Sequence, residues 1–270
     1  MYYFMSDIFG NAKAYFALKA KIELESNDKL YILGNIFDGN SEHPEHCLAI
    51  LDDIMSCSNI RLILGEHEYA HILYHVAENL QVKRRLEQDV ISLVPSGKPL
   101  LEHMKNLSKN KLDKYISYLV GCEMTEMISI GKRYFYLVNG APNIMDNGVD
   151  DWQKKVVTST IDLKRNYKKE IATDPNVILD DGWNYEDTII MCGGISSNMI
   201  VENIPEIRQS HLKSDYSEYQ RVVLVDNKMI INCGCQGDEY SDSLFIPTLA
   251  CVSVNPKGYS VTYKYDLFDV

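Results

Sequence analysis

Three short stretches carry most of the residues able to do chemistry: "DIFG" at Asp7 to Gly10, "GNIFDG" at Gly34 to Gly39, and "GEHE" at Gly65 to Glu68. Together they hold carboxylates, an amide and an imidazole, the groups that bind cations and move protons. Each stretch directly follows an apolar run. The middle one poses a question: Asn35 stands first off its strand, where a metal-binding carboxylate is common, and Asp38 follows three residues later. An amide oxygen can ligate a cation but brings no charge to hold it.

Other reactive residues point to less. Ser6 precedes Asp7, but no G-x-S-x-G elbow surrounds it or any other serine. No G-x-x-x-x-G-K-[ST] phosphate loop occurs. Cys233 and Cys235 are too close for a zinc knuckle and have no second pair, so they are expected in a buried strand edge. His43 and His46 lie at helical spacing, as do His67, His71 and His75, without H-E-x-x-H. Both sets are expected on solvated or partly packed helix faces. The acidic "GCQGDEYSD" lacks the spacing of a calcium loop and reads as surface.

The elements that position these groups follow a rhythm. "YYFMS" reads as a strand, "NAKAYFALKAKIEL" as a helix with Ala14, Phe16, Leu18 and Ile22 as its apolar residues, and "DKLYILG" as a second strand. "EHPEHCLAILDDIMS" is a helix with Pro44 near its first turn, "NIRLILG" a third strand, and "EHEYAHILYHVAENL" a helix. Alternating strands and helices predict a parallel sheet covered by helices. Ligand sites in such sheets lie beyond the carboxyl ends of the strands, where all three clusters fall. Further on, "SGKPLLEHMKNLSKNKLDKYISYLV" reads as helical. "MTEMISIGKRYFYLVNGAPN" reads as a hairpin turning at Gly131, and "DTIIMCGGISS" as a strand running into a loop. "QRVVLVDNKMIINCGCQG" and "LACVSVNPKGYSVTYKYD" alternate like antiparallel hairpins.

In order and spacing these clusters resemble the metallophosphoesterase (calcineurin-like) superfamily, nearest its serine/threonine protein phosphatase-like branch. That family carries D-x-H-G, G-D-x-x-D-R-G, G-N-H-[DE], a histidine after a strand, G-H-T, and I-D-x-G-C. The similarity runs over residues 2–262 and is strongest in the first seventy. It implies an α/β fold, a four-layer αββα sandwich of two mixed β-sheets, with residues 1–270 as a single domain. Residues 82–130 and 146–187 are expected to be helical or loop insertions within it.

The resemblance also implies a changed centre. Asp7 keeps the first aspartate, but Phe9 stands at a ligand histidine. Asn35 replaces the metal-bridging aspartate, Asp38 is kept, and Gly39 replaces an arginine. Glu66 replaces the asparagine ligand, His67 is kept, Asn139 and Gly194 replace two histidines, and Asn232 an aspartate. Lys164 or Arg165 falls where the family has a phosphate-binding arginine. The family chemistry needs two cations sharing a hydroxide. Unit charges 4 Å apart interact by about 4 kcal/mol at an effective dielectric near 20, so losing the bridging carboxylate removes much of the attraction for both ions.

The resulting expectation is a phosphatase-like protein without catalysis, with no cofactor. The alternative is a divergent phosphoesterase holding one magnesium, manganese or calcium ion through Asp7, Asn35, Glu66 and Asn139. His67 and Asp38 would be its general acid and orienting carboxylate. In a chain that has lost the metal, replacing Asp7 is expected to cost little stability. A protein or a phosphorylated ligand is the expected partner.

Composition sets outer bounds. The chain has 270 residues, 46% hydrophobic and 24% charged, enough for a sizeable core. Its formal net charge of -11 argues against nucleic acid and anionic membranes as partners. No apolar stretch approaches the length of a membrane span, and the start lacks the basic region of a signal peptide. Seven irregularly spaced cysteines are not a disulfide framework, so the cytoplasm is the expected location.

Overall fold

The computed structural model describes residues 1–39, 42–93, 97–142, 171–172, 187–194, 222–225, 227–233, 235, 248–256 and 262–269. The first half alternates as the sequence predicts: β1 (Tyr2–Met5), α1 (Ala12–Ile22), β2 (Lys29–Leu33), α2 (Glu45–Ser56), β3 (Ile60–Ile63) and α3 (Glu66–Val76). Three further helices follow, α4 (Leu80–Leu93), α5 (Gly97–Lys105) and α6 (Lys109–Val120). The remaining strands are β4 (Thr125–Ile130), β5 (Arg133–Val138), β6 (Ala141–Pro142), β7 (Ile171–Ala172), β8 (Thr188–Cys192), β9 (Val223–Val225), β10 (Lys228–Ile230), β11 (Thr248–Asn255) and β12 (Thr262–Asp269).

Two five-stranded mixed sheets result, ordered β12-β11-β1-β2-β3 and β4-β5-β8-β10-β9. In the first, β1 and β2 pair parallel with Phe4 opposite Tyr31, and β2 and β3 pair parallel with Tyr31 opposite Arg61. In the second, β5, β8 and β10 are parallel, with Phe135 opposite Ile189 and Met229 opposite Met191. The β4–β5 hairpin turns at Gly131, whose φ of 63° lies in the left-handed region that glycine adopts without a steric penalty.

Strand periodicity sorts the core into two layers. Phe4, Tyr31, Leu33 and Ile63 face Phe135, Leu137, Met191 and Met229 between the sheets. The Phe4 ring stacks on Tyr31 at 5.6 Å and on Phe135 at 6.2 Å. Met5, Leu30, Ile32 and Leu62 point the other way, into the helices. With both faces buried, these strands read as nearly continuous apolar runs. The outer face of the first sheet is covered by α1 and α2, while α4 to α6 gather around α3 and α2. Any helical cover on the outer face of the second sheet falls outside the described residues. Among the described residues no helix is long and apolar enough to cross a membrane.

The α1 face differs from the sequence reading. Phe16 is 41% exposed, and Tyr15 is the buried aromatic, beside Ala14 and Leu18. The Tyr15 hydroxyl donates to Asp53 Oδ2 of α2 at 2.7 Å, which lets the ring enter the core with its polar end satisfied. Residues 82–120 hold α4 to α6, and β4 then returns to the second sheet. Apart from residues 171–172 and 187, the 146–187 stretch, with Lys164 and Arg165, lies outside the described residues, as does most of "GCQGDEYSD".

Candidate functional site

The loops after β1 and β2 run side by side. Asp7 N donates to Gly34 O at 3.0 Å, Phe9 N to Asn35 O at 2.9 Å, and Gly10 N to Ile36 O at 2.9 Å. This zipper holds four non-glycine residues at positive φ: Asp7 at 56°, Phe9 at 47°, Asn35 at 54° and Asp38 at 63°. Each such position costs of order 1 kcal/mol or more and persists only where surrounding bonds enforce it. Backbone packing behind it is close. A Cβ on Gly34 would lie 2.4 Å from Gly65 N, and one on Gly65 would lie 2.1 Å from Asn35 Oδ1.

Glu68, to which the sequence reading gave no role, enforces this arrangement. Its side chain is fully buried in the first turn of α3. Oε2 accepts from Asn35 N at 2.8 Å and from Gly65 N at 3.0 Å, and Oε1 accepts from Phe37 N at 2.9 Å. One carboxylate thereby ties the β2 loop to the start of α3 through charge-assisted bonds. The signal for it was the last letter of "GEHE".

Asp7 is the meeting point of the two sheets. Oδ1 accepts from Asn35 Nδ2 at 2.8 Å, and Oδ2 accepts from Gly194 N at 2.7 Å and from the Ser6 hydroxyl. Burial pushes its carboxyl up to about 7, against the opposing pull of these hydrogen bonds. A cation binding there competes with protonation and with these donors. Asp7 thus accepts from three donors, Ser6, Asn35 and Gly194, a bonding pattern that bears on the expectation that replacing it costs little stability. Gly194 stands where the resemblance places a ligand histidine. Its φ is +66°, and a Cβ there would lie 2.5 Å from Asn139 O. Asn139 donates through Nδ2 to Leu33 O at 2.6 Å. The side-chain oxygens of Asn35 and Asn139 are buried without a hydrogen-bond partner.

Asp38 sits between two imidazoles. Its Oδ2 is 2.9 Å from His67 Nδ1, and its Oδ1 is 3.2 Å from His71 Nε2. Burial alone would raise the Asp38 carboxyl, but the charge of His71 and hydrogen bonds from both rings outweigh it and hold the group well below the ordinary carboxylate range. Burial opposes charging of His67, and the hydrogen bond and charge of Asp38 outweigh that, raising it. His67 and His71 are fully buried, which corrects the solvated or partly packed face expected for them. Their i, i+4 spacing aims both rings at one carboxylate, and that carboxylate makes their burial tolerable. Phe9 packs edge-on against His67, ring centroids 5.4 Å apart, so a phenyl ring borders the imidazole where the resemblance puts a ligand.

The predicted set is thus only partly assembled. Asp7 and Asn35 touch, Asn139 lies alongside through Leu33, and Asp38 pairs with His67. Glu66 opens α3 half-buried, with no hydrogen bond to Asp7, Asn35 or Asn139. Asn232, Cys233 and Cys235 are buried just past β10.

The profile of the family described as calcineurin-like phosphoesterase matches residues 2–186. The chain belongs to that family. Members usually bind divalent metals. Among solved structures, this calcineurin-like phosphoesterase is similar to a hypothetical protein from Pyrococcus horikoshii OT3 (16% identity, 98% of this chain and 87% of that one, TM-score 0.49). It is also similar to a metallophosphoesterase from Sphaerobacter thermophilus (12% identity, 98% and 87%, TM-score 0.48). No curated protein matches the sequence.

Two outcomes test this site. Glu68→Ala strips the acceptor from three buried N–H groups, and urea unfolding is expected to show a loss of about 3 kcal/mol or more. His75, on the same helix, is pushed down to about 3 by burial and then by the charge of His71 and nearby lysines. Its folded value lies below its unfolded one, so the native state resists its protonation. The stability it contributes is full above pH 6.5 and drains away as pH falls towards 3. Between pH 7.5 and 5.5 that loss is about 1.4 kcal/mol, and His75→Phe is expected to abolish this component of the acid sensitivity.

Proposed function

We propose that this calcineurin-like phosphoesterase has given up phosphate-ester hydrolysis and serves as a binding or regulatory protein for a protein or phosphorylated ligand. The observation that carries the reading is the 2.8 Å hydrogen bond from Asn35 Nδ2 to Asp7 Oδ1. Two carboxylates at positions 7 and 35 would need a cation between them. An amide and a carboxylate instead bind each other directly, so the bond stands where an ion would bridge.

The rest of the donor set fits a cation pair no better. Asp7 has both oxygens engaged, Gly194 brings a backbone N–H in place of an imidazole, and Phe9 brings a ring with no lone pair. A pair of divalent ions a few ångströms apart needs several anionic ligands, and Asp7 with Glu66, the latter making no hydrogen bond to Asp7, Asn35 or Asn139, falls short of that number. No catalytic step through two metals is therefore derived. The order of motifs supports descent from a serine/threonine phosphatase-like ancestor.

A second reading draws on two other observations. Asn35 and Asn139 each hold a buried side-chain oxygen with no partner, and the Asp38–His67 pair is intact. On that reading Asp7, Asn35, Glu66 and Asn139 would hold one magnesium, manganese or calcium ion, which would supply an activated water. His67, oriented by Asp38, would donate a proton to the leaving oxygen.

Elemental analysis and p-nitrophenyl phosphate turnover with added manganese separate the two. The proposal expects that wild type and Asp7→Ala carry the same metal content and that neither shows manganese-dependent turnover. Turnover lost in Asp7→Ala, with that variant still folded, would overturn it. Asn35→Asp sets two buried carboxyl groups against each other. It is expected to unfold at least 1 kcal/mol more readily than wild type in chelator, roughly the penalty of a disrupted buried hydrogen bond.

A further inference from the structure

Outside the centre around Asp7, one group of side chains has the chemistry and spacing of a metal site. Among the described residues, His43, Glu45 and His46 are the group of three histidine, cysteine, aspartate or glutamate side chains whose ligand atoms all lie within 4.8 Å of one another. His43 Nδ1 is 3.2 Å from Glu45 Oε1, and the His43 and His46 rings stack with centroids 4.9 Å apart. Donors at tetrahedral angles around zinc, each 2.0–2.2 Å from it, stand roughly 3.3–3.6 Å apart. The first pair already has about that spacing, and rotation of the exposed His43 and Glu45 side chains closes the rest.

The backbone holds the three together. Pro44, at φ -61°, is the N-cap of α2, and Glu45 and His46 occupy its first turn. His46 N donates back to His43 O at 3.0 Å, closing a turn that brings the two rings to the same side. These bonds do not depend on a metal, so the donors are gathered beforehand.

We infer that His43, Glu45 and His46 form a binding site for a divalent ion of zinc type, separate from the centre around Asp7. Two imidazoles and one carboxylate are a zinc donor set, whereas magnesium and calcium prefer oxygen alone. The outward face of the group leaves a coordination position open to water or to an anionic ligand. One influence opposes binding: the first turn of α2 carries the positive end of the helix dipole, a weak effect at an exposed position. Glu45 and the overall charge of -11 act against it, and metal–ligand bonds outweigh it. The site also adjoins the Asp38 loop. The adjacent Cys47 donates through Sγ to Asp38 O at 3.8 Å, so an ion here would brace the segment between the Asp38 loop and α2.

The inference does not rest on whether the Asp7 centre is active. It is tested with the full chain, freed of any polyhistidine tag and stripped with chelator, competing for zinc against a chromophoric indicator. One zinc per chain is expected. His43→Ala and His46→Ala are each expected to weaken it by at least about 100-fold, the upper range for loss of a supporting partner of a ligand. Cobalt is expected to give a tetrahedral visible absorption that the same variants lose. His43 is exposed ahead of α2 and His46 half-buried in its first turn, so equal melting temperatures in chelator should confirm that the variants fold. Zinc taken up equally by wild type and both variants, or no zinc taken up at all, would overturn the inference. So would zinc binding that survives in the histidine variants and disappears in Asp7→Asn; should that variant fail to fold, the histidine variants decide.

Discussion

A single buried carboxylate joins the carboxyl ends of the two sheets. Asp7 leaves β1 in the first sheet and accepts hydrogen bonds from Asn35, beyond β2, and from the backbone of Gly194, beyond β8 in the second sheet. Its desolvation is large, and only donors aimed at it from several sides make that position tenable. The surrounding features follow from this constraint. The β1 and β2 loops must run in register to bring Asn35 to Asp7. Gly194 must lack a side chain for its N–H to reach. Asn139 donates to Leu33 O, at the end of β2.

Glu68 and Asp38 solve the same problem with different partners. Glu68 collects three backbone N–H groups that the tight loops leave without a ladder partner. Asp38 is held by two imidazoles, so its burial is a matter of charge balance. The site is therefore a set of three buried carboxylates, each satisfied in its own way, fixing loops whose left-handed residues would otherwise relax.

Much of this was legible in the sequence. Apolar runs ending in "DIFG", "GNIFDG" and "GEHE" placed the loops at the strand ends, because a strand buried on both faces cannot be read as anything polar. The antiparallel pairs β4–β5, β9–β10 and β11–β12 followed from alternation and turn residues. What was not legible has specific causes. Tyr15 and Phe16 are adjacent aromatics on one helix, and only the position of Asp53 on α2 decides which is buried. His71 reads as surface until Asp38 is known to lie opposite it. The role of Asp7 in the fold was hidden because its donors come from residues 28 and 187 positions away, one of them a backbone N–H with no side-chain signature.

The close approach at Gly194 limits what that position can hold. An imidazole cannot be put back at that position alone, since the first carbon of any side chain would press on the Asn139 carbonyl. A carboxylate put back at position 35 alone would confront Asp7, and an imidazole at position 9 would have to take over the packing of Phe9 against His67. Each of these replacements is unfavourable unless the others are made with it. The loop geometry therefore couples these three positions, so that none can be changed to a bulkier or charged ligand without the others.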